Sequence, residues 1–173
     1  GVSDKVRYSL MDYSNMKFSN NYFDRIYTIE TLCHSTDIRK TIGEFFRVLK
    51  KDGRVAFFEY NIADDKRFND YELGIINKII YFTASPSLKE FRPNSFEKIL
   101  EYVGFKNVRS DDVTENFKPS LNRLRKLSIL PYYLFVKPFN LQNFININFT
   151  IAVEFHRLAE KGILRYKIFT GEK

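Results

Sequence analysis

Tryptophan is absent from this chain of 173 residues, and cysteine occurs once, as Cys33. A single cysteine excludes an intrachain disulfide and a cysteine-rich zinc site. No spacing of histidine, cysteine and carboxylates suggests another metal centre, so no metal is expected. Glycine is scarce and scattered. Gly1, Gly43, Gly53, Gly74, Gly104, Gly162 and Gly171 each stand alone, so no glycine-rich loop is present to lie against a phosphate or a nucleotide. No apolar run approaches the ~20 residues of a membrane-spanning helix. The greasiest stretch, Ile129 to Val136, contains Pro131 and stops at Lys137 and Pro138. Residues 1–20 mix polar and apolar side chains, with no apolar stretch behind a basic start, which reads against a secretory signal peptide.

Aromatic side chains are abundant instead: 18 Phe and 11 Tyr. Each carries a large contact area, which suits a packed core or a greasy ligand pocket. Hydrophobic residues make up 44% and charged residues 28%, the balance of one globular domain with a sizeable core. The formal net charge is +7, but the basic residues are scattered, with short clusters only at Lys50-Lys51 and at Arg123, Arg125 and Lys126. Diffuse charge reads as solvated surface and argues against a nucleic-acid partner.

The order of elements points to an α/β fold. Val6 to Met11 reads as a strand ending at Asp12, and Phe23 to Glu30 as a second strand rich in β-formers. Asp37 to Lys50 reads as a helix with Ile38, Ile42, Phe45, Phe46 and Leu49 at helical spacing and Thr36 or Asp37 as its cap. Asp52-Gly53 supplies a turn, with positive φ expected at Gly53. Arg54 to Tyr60 reads as a strand buried on both faces, parallel to the previous one in a βαβ unit. Helices follow at Asn69 to Phe82 and Phe96 to Val103, the latter stopped by Gly104. Phe105 to Arg109 is a further strand, Ile151 to Lys161 a helix, and Leu164 to Thr170 a last strand. Asp111 to Phe149 reads as irregular, with Pro119, Pro131 and Pro138 as breakers.

Three stretches carry a family resemblance. Asp12 ends the first strand. Then comes Phe23-Asp24, opening the strand that runs through Tyr27, Ile29 and Glu30 to Cys33 and His34. The third is Arg47-Val48-Leu49-Lys50-Lys51-Asp52-Gly53-Arg54, followed by Glu59 near the end of its strand. Together they resemble the class I S-adenosylmethionine-dependent methyltransferases. The Tyr27-x-Ile29-Glu30-x-x-Cys33-His34 portion is closest to the sterol C24-methyltransferases. Lys51-Asp52 stands where that family has Pro-Gly.

The resemblance implies a Rossmann-like class I methyltransferase fold that is incomplete, with the first two βα units absent. The family's sheet order is 3-2-1-4-5-7-6, and the match begins at its third strand. Residues 1–173 are therefore expected to be a partial methyltransferase domain, a fragment or split protein whose sheet an N-terminal half or partner chain would complete. Residues 111–149, with Phe117, Tyr132, Tyr133, Phe135, Phe139, Phe144 and Phe149, are expected to form a substrate lid. The cofactor implied is S-adenosyl-L-methionine. Asp12, Tyr13, Ile29 and Glu30 are its candidate contacts, Asp12 by accepting from the adenine amino group. Glu30 and His34 are candidate catalytic residues, and Tyr27, Tyr132 and Phe135 candidate substrate contacts.

Each of these also has a plain structural reading. Asp12 is an ordinary turn aspartate, Glu30 a strand-end cap, His34 a capping or packing histidine, Cys33 a buried apolar residue, and Tyr27 a core residue. The implied substrate is a sterol-like or other lipid-like small molecule. The alternatives are small-molecule N- or O-methylation, or a non-catalytic methyltransferase-like subunit. A cytoplasmic location is expected, with peripheral membrane contact through the basic residues of the lid left open.

Overall fold

The computed structural model describes residues 1, 4–64, 68–139, 141 and 147–173. Phe144 and the end of the polar loop after Asn61 lie outside them. Strand β1 (Phe23–Ile29), helix α1 (Ile38–Val48) and strand β2 (Leu49–Ile62) form the expected βαβ unit, with the two strands parallel. Helix α2 (Asp70–Phe82) and helix α3 (Ser95–Val103) lead to strand β3 (Lys106–Asp112). Helix α4 (Thr114–Pro131), helix α5 (Ile147–Glu160) and strand β4 (Leu164–Glu172) complete the chain. The sheet order is β1-β2-β4-β3, with β4 antiparallel to both neighbours. That is the 4-5-7-6 part of the sheet order implied by the resemblance, and Leu164 to Thr170 lies antiparallel beside Arg54 to Tyr60 as the inserted last strand.

Local chemistry explains the boundaries. Asp37 caps α1 by accepting from the Lys40 amide at 3.0 Å. Asn69 and Glu72 cap α2 reciprocally. Gly104, at φ 118°, ends α3 in the left-handed region. The turn expected at Asp52-Gly53 is an irregularity inside β2, and its positive φ falls on Asp52, at 61°, and not on Gly53. Gly53 is needed for space, because a Cβ there would lie 2.8 Å from the Lys50 carbonyl oxygen.

Two further expectations are corrected. Val6 to Met11 is not a strand, and its side chains face solvent, with Tyr8 and Leu10 fully exposed. A strand exists by its ladder partners, and no described strand offers one there. Pro119 and Pro131 do not break the chain, whereas the helical run stops before Pro138. α4 runs through Pro119 to Pro131, and a π-helical turn (Tyr132–Val136) continues it, closed by the Lys137 amide donating to the Tyr132 carbonyl at 2.8 Å. Switching the bonding pattern accommodates the amide that Pro131 lacks. Leu121, Ser128, Tyr132 and Val136 form the buried stripe of this helix, and α4 packs along α5. Tertiary packing thus outweighs the proline signal.

The two faces of the sheet differ. Val55 and Phe57 of β2 and Phe169 of β4 point into the core, where Ile42 and Phe45 of α1 and Phe96, Ile99 and Leu100 of α3 cover them. On the other face α4 and α5 cover only the end where Tyr60 of β2 lies opposite Tyr166 of β4. The rest is an open concavity of 790 Å³ lined by Tyr27, Ile29, Arg54, Ala56, Phe58 and Thr170, among others. Among the described residues β1 pairs only with β2, so its other edge is free.

Candidate functional site

The carboxyl ends of β1 and β2 bring the acidic residues together, the place where open α/β sheets gather their ligands. Glu30 follows β1 directly. Its amide continues the ladder by donating to the Phe58 carbonyl at 2.9 Å, and its φ of 52° turns the chain out of the sheet. A non-glycine residue at positive φ is uncommon and is held only where its surroundings over-determine it. Here the side chain is fixed twice. Tyr166 donates its hydroxyl to one carboxylate oxygen at 3.0 Å, and Tyr60 donates to the other at 3.3 Å. Burial and the nearby Glu30 charge raise both phenols well above the ordinary tyrosine value, so both remain donors.

The rings of the two donors pack with further aromatic side chains. Tyr60 and Tyr166 meet edge to face at 5.3 Å. Phe155 of α5 packs edge to face on Tyr60 at 5.0 Å, and Phe117 of α4 stacks on Tyr166 at 4.4 Å. The result is one carboxylate, two hydroxyls and four ring systems supplied by β2, β4, α4 and α5.

Glu59 points to the other side of β2 and is fully buried. One oxygen accepts from the Thr31 amide at 3.0 Å and the Leu32 amide at 2.8 Å. These are the first donors of a 3-10 turn (Leu32–His34), so Glu59 caps the segment that follows Glu30. Its second oxygen has no partner among the described residues. Burial pushes the Glu59 carboxyl up to about 7. Cys33, next in the turn, is buried and its thiol is pushed up to about 11 by burial, so it stays protonated and is no nucleophile.

His34 is exposed, with Nδ1 3.0 Å from the Ala84 carbonyl oxygen and 3.3 Å from the Ser85 hydroxyl. The carbonyl can only accept, so Nδ1 carries the proton and Nε2 holds the free lone pair. His34 has no hydrogen bond to Glu30. Tyr13 donates its hydroxyl to the Thr31 carbonyl at 3.0 Å and packs on Phe45. This fastens the turn of residues 12–15 to the end of β1. Asp12 accepts from the Ser14 amide at 2.7 Å, which holds its carboxyl below the usual range while the side chain stays exposed. Asp12, Tyr13, Ile29 and Glu30 are thus brought to one end of β1.

The remaining candidates fall elsewhere. Tyr27 lies on the open sheet face, 72% exposed, and so is not in the core. Tyr132 is fully buried and donates to Glu154 at 3.0 Å, which also accepts from Tyr71 at 2.8 Å. That places it inside the α2–α4–α5 packing, apart from the hydrogen bonds of the Glu30 cluster. Phe135 is 58% exposed, on the outside of the π-helical turn. Tyr60, Tyr166 and Phe155 carry no sequence signal as a site. Only the antiparallel register, which sets Tyr60 opposite Tyr166, joins them.

Asp12 and Ile29, expected on the adenine side of S-adenosylmethionine, both have exposed side chains. No residue of this sequence supplies the glycine-rich turn that the rest of that cofactor needs. No group of residues able to hold a metal ion occurs among the described residues.

Residues 1–57 match the methyltransferase domain family. A sterol 24-C-methyltransferase of Eremothecium gossypii is 37% identical over 120 residues, covering 69% of this chain and 32% of that protein. A sterol 24-C-methyltransferase of Pneumocystis carinii is 28% identical over 137 residues, covering 79% of this chain and 33% of that protein. The chain spans about a third of the length of these relatives. In fold it is similar to geranyl diphosphate C-methyltransferase from Streptomyces coelicolor, with TM-score 0.70 at 14% identity, over 99% of this chain and 55% of that one. In sequence the chain is similar to part of the sterol 24-C-methyltransferases, and in fold to the class I S-adenosylmethionine-dependent methyltransferases.

Proposed function

We propose that these 173 residues are the acceptor-side, C-terminal part of an S-adenosylmethionine-dependent methyltransferase acting on a sterol-like or other lipid-like small molecule. The observation that carries this reading is the half-buried Glu30 carboxylate held by Tyr60 and Tyr166, whose rings pack with Phe155 and Phe117. An apolar acceptor whose carbon nucleophile becomes cationic needs such surroundings: negative charge already in place, ring faces to stabilise the cation, and water kept out. Glu59 is committed to the Thr31 and Leu32 amides, so a single carboxylate faces the rings. That favours a lipid acceptor over a polar amine, for which several carboxylates would converge.

The cofactor supplies an electrophilic methyl group. Asp12 and Tyr13 would hold its adenine side, with Ile29 as a further contact. The aromatic walls align an alkene of the acceptor for in-line attack. Glu30 stabilises the positive charge left on the neighbouring acceptor carbon. Loss of a proton to Glu30 or to Nε2 of His34 then restores the alkene. Tyr27, on the open face, and Phe135, on the outer rim, are proposed substrate-side contacts. For Tyr132 the burial favours a supporting role behind the lid.

The test is methyl transfer to a Δ24 sterol by this chain joined to a polypeptide carrying the two preceding βα units. Methylated sterol is expected. Glu30→Gln should lower kcat by about 100-fold or more, the scale of losing one preorganised electrostatic group, with little change in the cofactor constant. Transfer to amines with none to sterols would replace the lipid reading by the amine one.

A further inference from the structure

The outer face of α4 and its π-helical turn is apolar and uncovered. Leu124, Leu127, Leu130, Leu134, Phe135 and Phe139 are each more than half exposed; Leu127 reaches 77% and Phe139 68%. The four leucines recur at three- and four-residue spacing, so they form one stripe, opposite the Leu121–Ser128–Tyr132–Val136 stripe that packs inward. A helix buried on one side normally shows polar residues on the other. Leucines at this spacing on the outside mark a second contact surface.

The charge around the stripe is of one sign. Between Glu115 and Glu154 the sequence holds no acidic residue and five basic ones, Lys118, Arg123, Arg125, Lys126 and Lys137. Lys118 bridges to Glu115 and Glu160. Arg123 and Lys126 flank the leucines and have no carboxylate partner among the described residues. Lys137 lies over the Tyr133 ring at 5.1 Å, and that ring is half exposed. No helix among the described residues is long and apolar enough to cross a membrane.

We infer that this face rests in the interface of an anionic lipid bilayer, with the leucine stripe among the acyl chains and Arg123, Lys126 and Lys137 at the headgroups. The combination is that of an in-plane amphipathic helix: apolar stripe, basic rim, aromatic rings at the boundary. Charge excludes the simplest alternative, since a second copy would bring an identical basic rim against this one. Nucleic acid would not use the leucines. The inference holds whatever reaction the Glu30 site carries.

The experiment is flotation of the 173-residue chain with vesicles of phosphatidylcholine alone and of phosphatidylcholine with phosphatidylserine. The chain should float with the anionic vesicles and much less with the neutral ones, and salt should weaken the binding. Arg123→Gln/Lys126→Gln should lower partition onto the anionic vesicles about 25-fold, at about fivefold per basic residue. Leu127→Ser/Leu130→Ser should lose binding to both. These side chains are exposed, so unfolding midpoints should match the parent; Leu130→Gln provides the same readout if the double variant does not fold. Three results would each overturn the inference: no flotation by the parent chain, double variants that float as the parent does, or a dimer in sedimentation velocity that Leu127→Ser/Leu130→Ser dissolves.

Discussion

Glu30 and Glu59 lie at neighbouring strand ends, and their surroundings give them opposite tasks. Glu30 meets hydroxyls and rings; Glu59 meets two amides and otherwise an apolar interior. The Glu59 carboxyl titrates near 7 in the folded protein against 4.5 as the ordinary value, because burial penalises its charge. The folded state therefore binds this proton more tightly than the unfolded chain. The stability it contributes is complete below about pH 4.5 and is lost as pH rises through about 7. At about 1.4 kcal/mol per unit the difference reaches ~3 kcal/mol. Glu59→Gln keeps an acceptor for the Thr31 and Leu32 amides and removes the titration. Urea unfolding of parent and variant at about pH 5 and pH 8 should show a shallower pH slope for the variant. Equal slopes would mean that Glu59 stays ionised throughout. The acids themselves were legible in the sequence as strand-end residues, but their partners were not. Tyr60 and Tyr166 are 106 positions apart and meet only through register.

Among the elements, α4 departs furthest from expectation. Three prolines in residues 111–149 read as breaks, yet the helix absorbs two of them because its inner stripe is held by α5. Proline cost is a local quantity of about 3 kcal/mol, and burial of several large side chains exceeds it. The two lid candidates on this element now separate. Tyr132 is fully enclosed, so Tyr132→Ala should cost about 3–5 kcal/mol of stability. Phe135 is mostly exposed, so Phe135→Ala should change stability by less than about 0.5 kcal/mol. Chemical denaturation of the two variants measures both. A large loss for Phe135→Ala would place it in the core and remove it from the lid. The βαβ unit, by contrast, was legible, because helical spacing in α1 and β-formers on either side agree with each other.

For the whole molecule, the open sheet face and the free edge of β1 set the expected behaviour. The cofactor candidates Asp12, Tyr13, Ile29 and Glu30 are proposed to hold one side of a ligand, and the glycine-rich turn that would hold the other is absent from these residues. Calorimetric titration of the isolated chain with S-adenosylmethionine should show no saturable heat in the micromolar range. Addition of a polypeptide carrying the two preceding βα units should restore it and protect the β1 amides from hydrogen exchange. Micromolar binding by the chain alone would point to a different cofactor site. The concavity beside β1, with Tyr27 and Ile29 exposed at its floor, is where that addition would settle.

Sequence alone determined the element order, the parallel βαβ unit and the acidic residues at the strand ends; the return of the last strand between two others was implied only by the family resemblance. The former follow from spacing and composition within a few residues, and from motifs whose chemistry is local. Only the tertiary structure decided that Val6 to Met11 has no ladder to join, that α4 survives its prolines, and that Tyr132 is core while Leu127 and Leu130 face outward. It also assembled the Glu30 cage from β2, β4, α4 and α5. The reason is one of range. Hydrogen-bonded register and helix packing join residues far apart in the chain, and no pattern within a single element records which distant side chain will complete a site.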